Sequence, residues 1–381
     1  MKRNISLVLL VIILITSTGS LAMDLEGELK AYLVGDYESG RILEGFRIDE
    51  PVYIASISKT MSYSVIMDSQ PDLEEKILID EDILSIGGSM MKLEAGAYYT
   101  VDQLLDYGLI VSSNNAIYAL AKHVAGSEEK FVELMNKKAQ EIGLESAKFY
   151  NSTGLPVEGI EDQNRMTSRD IFKMASYIIR NYDILERTRK KEILGLDFFG
   201  EERLLKSTNP TLVLDGVDGF KTGRTAASGY SLVSTMDRGD FRLLAIFMGA
   251  RSDARRAEIS REAMEDLAKR YTRQRVLDRE EALDSLDIEG SKSRNLKVYP
   301  REDLDLVIDR ELGLSYELVL REDLKLPAKK GTGLGQVIIY NGDQEVARQE
   351  FVARQRLARA GIFTGLRFRL EDWFRKIFRK D

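Results

Sequence analysis

One stretch of the chain carries a single charge where a buried helix is predicted. Between Glu50 and Asp68 the only charged side chain is Lys59, and Ser56 stands three residues before it. Residues three apart share one face of a helix, so the hydroxyl and the amine can meet. Burial disfavours the charged form of a lysine and lowers its pKa. A neutral amine can take the proton of a neighbouring hydroxyl and make it a nucleophile, so this pair is a candidate catalytic centre. The alternative is a helix N-cap at Ser56 beside an unrelated lysine.

The composition excludes several kinds of chemistry. The chain has 381 residues, 44% of them hydrophobic, with no cysteine and one histidine. This length suits two or three domains. Without cysteine there are no disulfides or thiolate nucleophiles, and His123 alone does not make a histidine-rich metal site. The sequence has no phosphate-binding glycine loop, so we expect neither a metal nor a cofactor. A net charge of −7 gives no basic footprint for nucleic acid.

The N-terminal segment is typical of an export signal. Two basic residues precede an apolar run from Ile5 to Ile15, and the small residues Ser20 and Ala22 have the spacing that signal peptidase needs. We therefore predict a signal peptide over residues 1–22. The alternative is a transmembrane anchor, for which the apolar run is short. The protein is expected at the outer face of the cytoplasmic membrane, with peripheral attachment.

Strand and helix patterns are mixed from residue 23 to residue 275, the predicted catalytic domain. Two antiparallel hairpins are predicted over residues 29–46 and 230–248, because alternating apolar segments flank turn residues there. Helical spacing occurs in segments that begin at Ser56, Asp102, Ala116, Ser127, Thr167 and Asp253. Such a mixture predicts an α/β chain of the layered α+β kind.

The remainder of the chain has a different pattern. Residues 273–292 are highly charged and suggest a domain boundary. Beyond them apolar strand segments recur about every dozen residues, which predicts a small all-β domain over residues 285–355, expected to be a sandwich.

The last predicted element is an amphipathic helix over residues 356–381. One face is apolar and aromatic, with Trp373 and Phe374, and the other carries six arginines and lysines between Arg367 and Lys380. A basic amphipathic helix with aromatic residues is suited to an anionic membrane surface. The alternative is a helix packed on the protein itself.

The Ser-x-x-Lys spacing occurs three times, and two of the copies fit ordinary structural roles. Ser89–Lys92 lies in a predicted loop, and Ser127–Lys130 is typical of a helix N-cap. Two further motifs carry chemistry-bearing side chains. Ser112-Ser-Asn114 lies in the loop between two predicted helices, although Ser113-Asn-Asn115 has the same form. Lys221-Thr-Gly223 precedes a predicted strand, where a glycine allows close backbone approach.

The order Ser-x-x-Lys, Ser-x-Asn, Lys-Thr-Gly on a helix, a loop and a strand characterises class A β-lactamases and penicillin-binding proteins. The chain resembles this serine penicillin-recognising superfamily, and within it the D-alanyl-D-alanine carboxypeptidases of the low-molecular-weight penicillin-binding proteins. The segments that carry the resemblance also include Ser85–Ser89, Ser112–Ala116, His123–Ser127 and Val217–Thr225. The resemblance implies an antiparallel sheet flanked by helices, followed by a β domain with an amphipathic tail.

The resemblance also implies residue roles. The implied catalytic residues are Ser56, Lys59, Ser112, Asn114 and Lys221, and the implied substrate-binding residues are Lys221, Thr222, Gly223, Arg224, Thr225 and Arg256. Ser56 would be the nucleophile and Lys59 its base, and backbone N–H groups of Ser56 and Arg224 would form an oxyanion hole. Arg255 is the alternative to its neighbour Arg256. The segment Asn151–Leu155 is assigned no catalytic role, and His123 is expected to be structural.

These features favour an exported serine D-alanyl-D-alanine carboxypeptidase that acts on peptidoglycan stem peptides and limits cross-linking, with β-lactams as covalent inhibitors. One alternative is a β-lactamase, which usually needs a glutamate that activates water for deacylation, and Glu158 and Glu161 are candidates. The other alternative is a wall-binding scaffold that keeps the motifs without turnover.

Overall fold

The computed structural model describes residues 11–12, 25–156, 163–196, 200–364 and 367. Contacts divide the chain into two compact units. The first is Leu21–Lys269, and the second joins Met1–Ser20 with Arg270–Asp381.

Within the described residues the helices are α1 Ser58–Asp68, α2 Glu81–Leu84, α3 Val101–Leu109, α4 Asn114–Ala125, α5 Glu128–Ile142, α6 Ser168–Asn181, α7 Ile184–Thr188 and α8 Asp253–Arg270. The strands are β1 Val11–Ile12, β2 Ala31–Asp36, β3 Ile42–Phe46, β4 Val52–Tyr53, β5 Lys76–Leu78, β6 Tyr98–Thr100, β7 Arg165–Met166, β8 Glu192–Leu196, β9 Glu202–Lys206, β10 Val217–Thr225, β11 Gly229–Asp237, β12 Arg242–Ala250, β13 Tyr271–Leu277, β14 Asp284–Leu286, β15 Leu296–Pro300, β16 Leu304–Asp309, β17 Leu314–Leu320, β18 Gly333–Asn341 and β19 Gln344–Ala353. This order confirms the predicted mixture of helices and antiparallel strands, followed by an all-β region.

A five-stranded antiparallel sheet is the centre of the first unit. Its strand order is β10-β11-β12-β2-β3, so β10 lies at one edge. Lys221 in β10 lies opposite Val233 in β11, and Gly223 lies opposite Ser231. The two predicted hairpins are both in this sheet, as β2–β3 and β11–β12. An edge strand leaves backbone groups that an extended peptide can pair with.

Helix α1 is the buried centre of the helical part. A 3₁₀ turn at Ala55–Ile57 precedes it, and all residues from Ser58 to Ile66 are buried. Helices α3, α4, α5 and α6 pack around it. A helix enclosed on all sides has no polar face, which explains why the sequence around Lys59 is almost free of charge.

Several helix ends follow from short-range sequence signals. Thr100 and Gln103 form a capping box at the start of α3. Ser127 accepts the backbone N–H of Lys130 at 3.3 Å, so the third Ser-x-x-Lys motif is a helix N-cap, as expected. Helix α5 ends at Gly143, whose φ of +79° is the left-handed conformation common after a helix.

The second unit consists mainly of strands. A six-stranded sheet has the order β1-β17-β18-β19-β15-β14, and β13 pairs with β16. The core contains Leu277 from β13, Val298 from β15, Val337 from β18 and Phe351 from β19. The charged segment 273–292, which suggested a boundary, contains most of β13 and all of β14. Many of its charges lie in the turns and loops that follow these strands, so the segment belongs to the β region.

The two ends of the sequence are described only in part. Of the predicted signal peptide, the structure describes Val11–Ile12, which pair with β17. At the other end Leu357 is fully buried and pairs with Ala328, so the β unit extends past residue 356. Residues 362–364 are helical, and most of the predicted amphipathic helix lies outside the described residues. None of the described helices is long and apolar enough to cross a membrane.

Candidate active site

Ser56 and Lys59 meet at the start of α1. The 3₁₀ turn carries Ser56, and one turn later the Nζ atom of Lys59 lies 2.7 Å from the Ser56 Oγ atom. The cap residue of α1 is Ile57, and no side chain caps the helix there. The interpretation of Ser56 as an N-cap is therefore wrong. Ala55 has a φ of +47°, an uncommon value for a residue with a side chain, and such strain is concentrated at functional sites.

The environment of Lys59 favours a neutral amine. The side chain is fully buried, and this burial, followed by the positive charge of Lys221, holds its pKa well below the ordinary value for lysine. The Nζ atom also donates to the backbone carbonyl of Thr153 at 2.9 Å. A neutral amine held between a carbonyl and a hydroxyl can accept the hydroxyl proton.

The turn between α3 and α4 separates the two overlapping Ser-x-Asn motifs. Ser113 is fully buried, caps α4 and accepts the backbone N–H of Met91, which Asn115 also accepts. Ser112, with a φ of +63°, lies on the opposite side and contacts the cleft together with Asn114. Of the two overlapping motifs, Ser112 and Asn114 therefore face the cleft. Ser113 and Asn115 stabilise the fold.

Asn114 presents an acceptor that nothing in the described part of the chain uses. Its Nδ2 atom donates to the carbonyl of Gly87 at 2.8 Å, which fixes the orientation of the amide. Its Oδ1 atom is buried without a hydrogen-bond partner among the described residues. A buried acceptor without a partner is costly to the fold, so this oxygen is a candidate contact for the N–H of a bound peptide.

Lys221 on the edge strand β10 completes the polar cluster. Its Nζ atom donates to the Ser112 Oγ atom at 2.9 Å and to the Thr222 carbonyl at 3.1 Å. Burial and then the charge of Arg256 lower its pKa to about 7. Near neutral pH this amine exists in both protonation states, so it can carry or pass on a proton.

Close backbone packing positions β10 against the Ser56 turn. A Cβ atom at Gly223 would lie 2.7 Å from the Ile54 carbonyl oxygen, so only glycine fits at this contact. The Thr222 hydroxyl lies 2.7 Å from the Thr208 hydroxyl. Strand and turn therefore approach within van der Waals distance, with the nucleophile candidate beside the strand edge.

A cleft of about 1070 Å³ lies over these residues. The predicted residues among its lining are Ser56, Ser112, Asn114, Thr222, Gly223, Arg224, Thr225 and Arg256. The two lysines, Lys59 and Lys221, are buried next to it. The structure thus brings together every residue that the sequence singled out for the site.

The choice between the two adjacent arginines is clear in the structure. Arg256 is buried at the cleft and its Nη2 atom lies 2.7 Å from Asp253 Oδ1. Arg255 instead pairs with Glu28 at 2.9 Å and with Glu258 at 2.8 Å. Of the two, Arg256 is the one that lines the cleft.

The segment Asn151–Gly154 is part of the site, although the sequence analysis assigned Asn151–Leu155 no catalytic role. Besides the Thr153 carbonyl that contacts Lys59, it contributes Gly154, where a Cβ atom would lie 1.9 Å from the Ala55 carbonyl oxygen. A backbone carbonyl has no residue-type signature, so the sequence offered only the turn residues Asn151 and Gly154 as a signal. His123 is exposed and lies 3.3 Å from Glu75, apart from the cleft. Glu158 and Glu161 lie outside the described residues.

The chain is similar in sequence to known D-alanyl-D-alanine carboxypeptidases. DacF, a D-alanyl-D-alanine carboxypeptidase of Bacillus subtilis (strain 168), is 26% identical over 98% of this chain and 99% of its own length. DacC of Escherichia coli (strain K12), with the same description, is 32% identical over 59% of this chain and 58% of its own length.

Solved structures share the fold. The D-alanyl-D-alanine carboxypeptidase DacD from Francisella tularensis has a TM-score of 0.74 at 23% identity and covers 94% of this chain and 98% of its own. Penicillin-binding protein D2 from Listeria monocytogenes in its ampicillin-bound form has a TM-score of 0.54 at 27% identity, covering 62% of this chain and 96% of its own. The family model for D-alanyl-D-alanine carboxypeptidases matches residues 20–252. Because this match spans more than half of the sequence, the chain belongs to the D-alanyl-D-alanine carboxypeptidase family.

Proposed function

We propose that this chain is an exported serine-type D-alanyl-D-alanine carboxypeptidase, which removes the terminal D-alanine from peptidoglycan stem pentapeptides. The observation that carries the proposal is the Lys59 amine, buried with a lowered pKa and 2.7 Å from the Ser56 hydroxyl. The hydroxyl faces a cleft large enough for a peptide end. Family membership supplies the substrate class.

In the proposed acylation, the Ser56 Oγ atom attacks the carbonyl carbon of the penultimate D-alanine while Lys59 takes the hydroxyl proton. Backbone N–H groups of Ser56 and Arg224 stabilise the oxyanion that forms. The C–N bond then breaks, and the leaving amine receives a proton through Lys59 and Ser112. Lys221 donates a hydrogen bond to Ser112 and so influences this proton transfer.

Deacylation completes the cycle. Water attacks the ester carbonyl, Lys59 takes a proton from it, and the ester oxygen of Ser56 recovers a proton as the shortened peptide leaves. The products are free D-alanine and a tetrapeptide, and the enzyme returns to its initial protonation state.

The outer part of the cleft is proposed to bind the substrate ends. The unused Asn114 Oδ1 atom accepts an amide N–H of the peptide. Thr222, Thr225 and Arg256 bind the terminal carboxylate, for which a buried guanidinium is a strong partner. Gly223 lets the peptide lie along the edge of β10.

β-Lactams are expected to acylate the same serine. The relative from Listeria monocytogenes was solved in ampicillin-bound and cefotaxime-bound forms. Export is proposed to use the signal peptide over residues 1–22, and the basic tail is proposed to hold the enzyme at the outer face of the cytoplasmic membrane. The rest of the cycle requires only peptidoglycan peptide and water.

Covalent labelling with a fluorescent penicillin tests the nucleophile. The wild type should become labelled at one site per chain, and S56A should remain unlabelled because it lacks the attacking oxygen. S127A is the matched control, since Ser127 belongs to another Ser-x-x-Lys motif and caps α5. Equal labelling of S56A and the wild type would reject Ser56.

Turnover separates the proposed activity from its alternatives. A carboxypeptidase should release D-alanine from a pentapeptide ending in D-Ala-D-Ala and none from the matched L-alanine peptide. Rapid penicillin hydrolysis would indicate a β-lactamase instead, and absence of both activities would indicate a scaffold.

A further inference from the structure

The residue before the carbonyl that contacts Lys59 is held by a side chain from another helix. Thr153, whose carbonyl contacts Lys59 Nζ at 2.9 Å, follows Ser152 directly. The carboxylate of Glu128 accepts the Ser152 backbone N–H at 2.6 Å and lies 3.0 Å from the Ser152 hydroxyl with each of its oxygens. Glu128 is in the first turn of α5, so it connects α5 to the segment beside the reacting pair.

The same segment is anchored on its other side by α1. The Ser62 hydroxyl donates to the Ser152 carbonyl at 2.6 Å, and Ser62 is in the same helix as Lys59. The backbone N–H of Ser152 is therefore hydrogen-bonded to α5, and its backbone carbonyl is hydrogen-bonded to α1. This leaves little freedom for the carbonyl of Thr153, one peptide further along the chain.

A helix-dipole role does not account for the position of Glu128. An acidic residue in the first helical turn is favourable for the dipole, but Glu129 is exposed in the same turn and serves that purpose. Burial raises the pKa of Glu128 against the effect of its bonds to Ser152, so the carboxylate is placed there at some cost. Its bonds to both the N–H and the hydroxyl of Ser152 offset that cost.

We propose that Glu128 is a positioning residue for acylation: it fixes Ser152 so that the carbonyl of Thr153 holds the Lys59 amine in line with the Ser56 hydroxyl. Glu128 touches neither the substrate nor the reacting atoms. The inference rests on the proposed role of Lys59 as the base. Displacing a catalytic group by about 1 Å can slow a reaction about 100-fold, so loss of this support should be measurable.

Two variants separate the geometry of Glu128 from its charge. E128Q removes the charge and keeps an amide oxygen at the right distance to accept the Ser152 N–H. E128D keeps the charge but shortens the side chain, so it no longer reaches Ser152. We expect E128Q to be acylated by fluorescent penicillin within about threefold of the wild-type rate constant, and E128D to be about 10- to 100-fold slower. E129Q is the control for the charge at the helix terminus and should react as fast as the wild type.

The final extent of labelling separates positioning from loss of folded protein. In E128D we expect one label per chain at completion, a lower rate constant, and D-alanine release with reduced kcat and unchanged KM. A wild-type rate in E128D, a reduced final extent with a normal rate constant, or equal slowing in E129Q would overturn the inference. If S56A labels like the wild type, the proposed function fails and this inference fails with it. If S56A stays unlabelled and E128D reacts at the wild-type rate, only the inference about Glu128 fails.

Discussion

At the scale of single residues, the site contains three basic side chains of decreasing exposure to the cleft. Arg256 lines the cleft and lowers the pKa of Lys221, and Lys221 in turn lowers the pKa of Lys59. Guanidinium groups do not deprotonate in proteins, so the positive charge stays at the outer position. The innermost amine, next to the hydroxyl, is the one whose pKa burial and this charge hold well below the ordinary value for lysine, which suits it to act as a base.

Burial of Lys221 should destabilise the fold in a pH-dependent way. Its pKa is about 7 in the folded protein and about 10.4 in an unfolded chain. Between these values the unfolded chain binds the additional proton, so stability rises with pH over this window. Below pH 7 both states are protonated and the full cost applies, about 5 kcal/mol from the difference in pKa.

We therefore expect K221M to have a higher Tm than the wild type at pH 6.5, with a smaller gap at pH 9.5, while losing acylation. Thermal unfolding by circular dichroism measures the Tm values, and penicillin labelling measures acylation. K137M is the control, since the Lys137 side chain is 72% exposed and its loss should leave the pH dependence of Tm unchanged. A wild type more stable than K221M at both pH values would contradict the argument.

At the scale of elements, a four-residue segment at the start of α4 divides its side chains between catalysis and folding. Ser112 and Asn114 face the cleft, whereas Ser113 and Asn115 hold the loop at Met91. Neighbouring residues point to opposite sides because Ser112 adopts a left-handed conformation just before the helix begins.

This division predicts opposite effects of two adjacent substitutions. S112A should slow acylation about 100-fold, the range for loss of a group that transfers protons, with Tm almost unchanged. S113A should lose about 1 kcal/mol of stability as a helix cap and keep most of the acylation rate. Penicillin labelling rates and urea unfolding of the two variants measure this, and each serves as the control of the other. Slower acylation in S113A than in S112A would show that the assignment is reversed.

The sequence was sufficient to predict those elements whose side chains show a clear pattern of charge or hydrophobicity. The charge-free stretch around Lys59 indicated a buried helix, and the hairpins followed from alternating apolar residues. Two features were beyond this reasoning. Which of Ser112 and Ser113 faces the cleft depends on one backbone dihedral angle, because both overlapping segments fit the Ser-x-Asn motif. The contact from Thr153 to Lys59 uses a backbone carbonyl, which every residue type possesses. Contacts between residues that are distant in the sequence determine both features, and local sequence patterns do not.

At the scale of the whole molecule, the second, β-rich unit includes part of the predicted tail. The choice of truncation point therefore matters for any test of the tail. Leu357 is fully buried in the β unit, and the backbone N–H of Ala360 donates to the Gly290 carbonyl. Removal of residues 356–381 would therefore damage the β unit as well as the predicted helix. Beyond these contacts, Ile362 and Phe363 are 88% and 90% exposed.

A truncation after Gly361 is accordingly the better test of membrane attachment. Without residues 362–381 the chain should keep its Tm and its D-alanine release, yet no longer sediment with vesicles that contain phosphatidylglycerol. The full chain should bind these vesicles more strongly than phosphatidylcholine vesicles, and added salt should weaken binding, because the tail combines aromatic residues with six cations. A truncation after Gln355 should bind equally poorly but unfold at a lower temperature, since burial of a leucine contributes about 1.5–3 kcal/mol. Unchanged sedimentation of the chain that ends at Gly361 would show that the tail does not attach the enzyme to membranes.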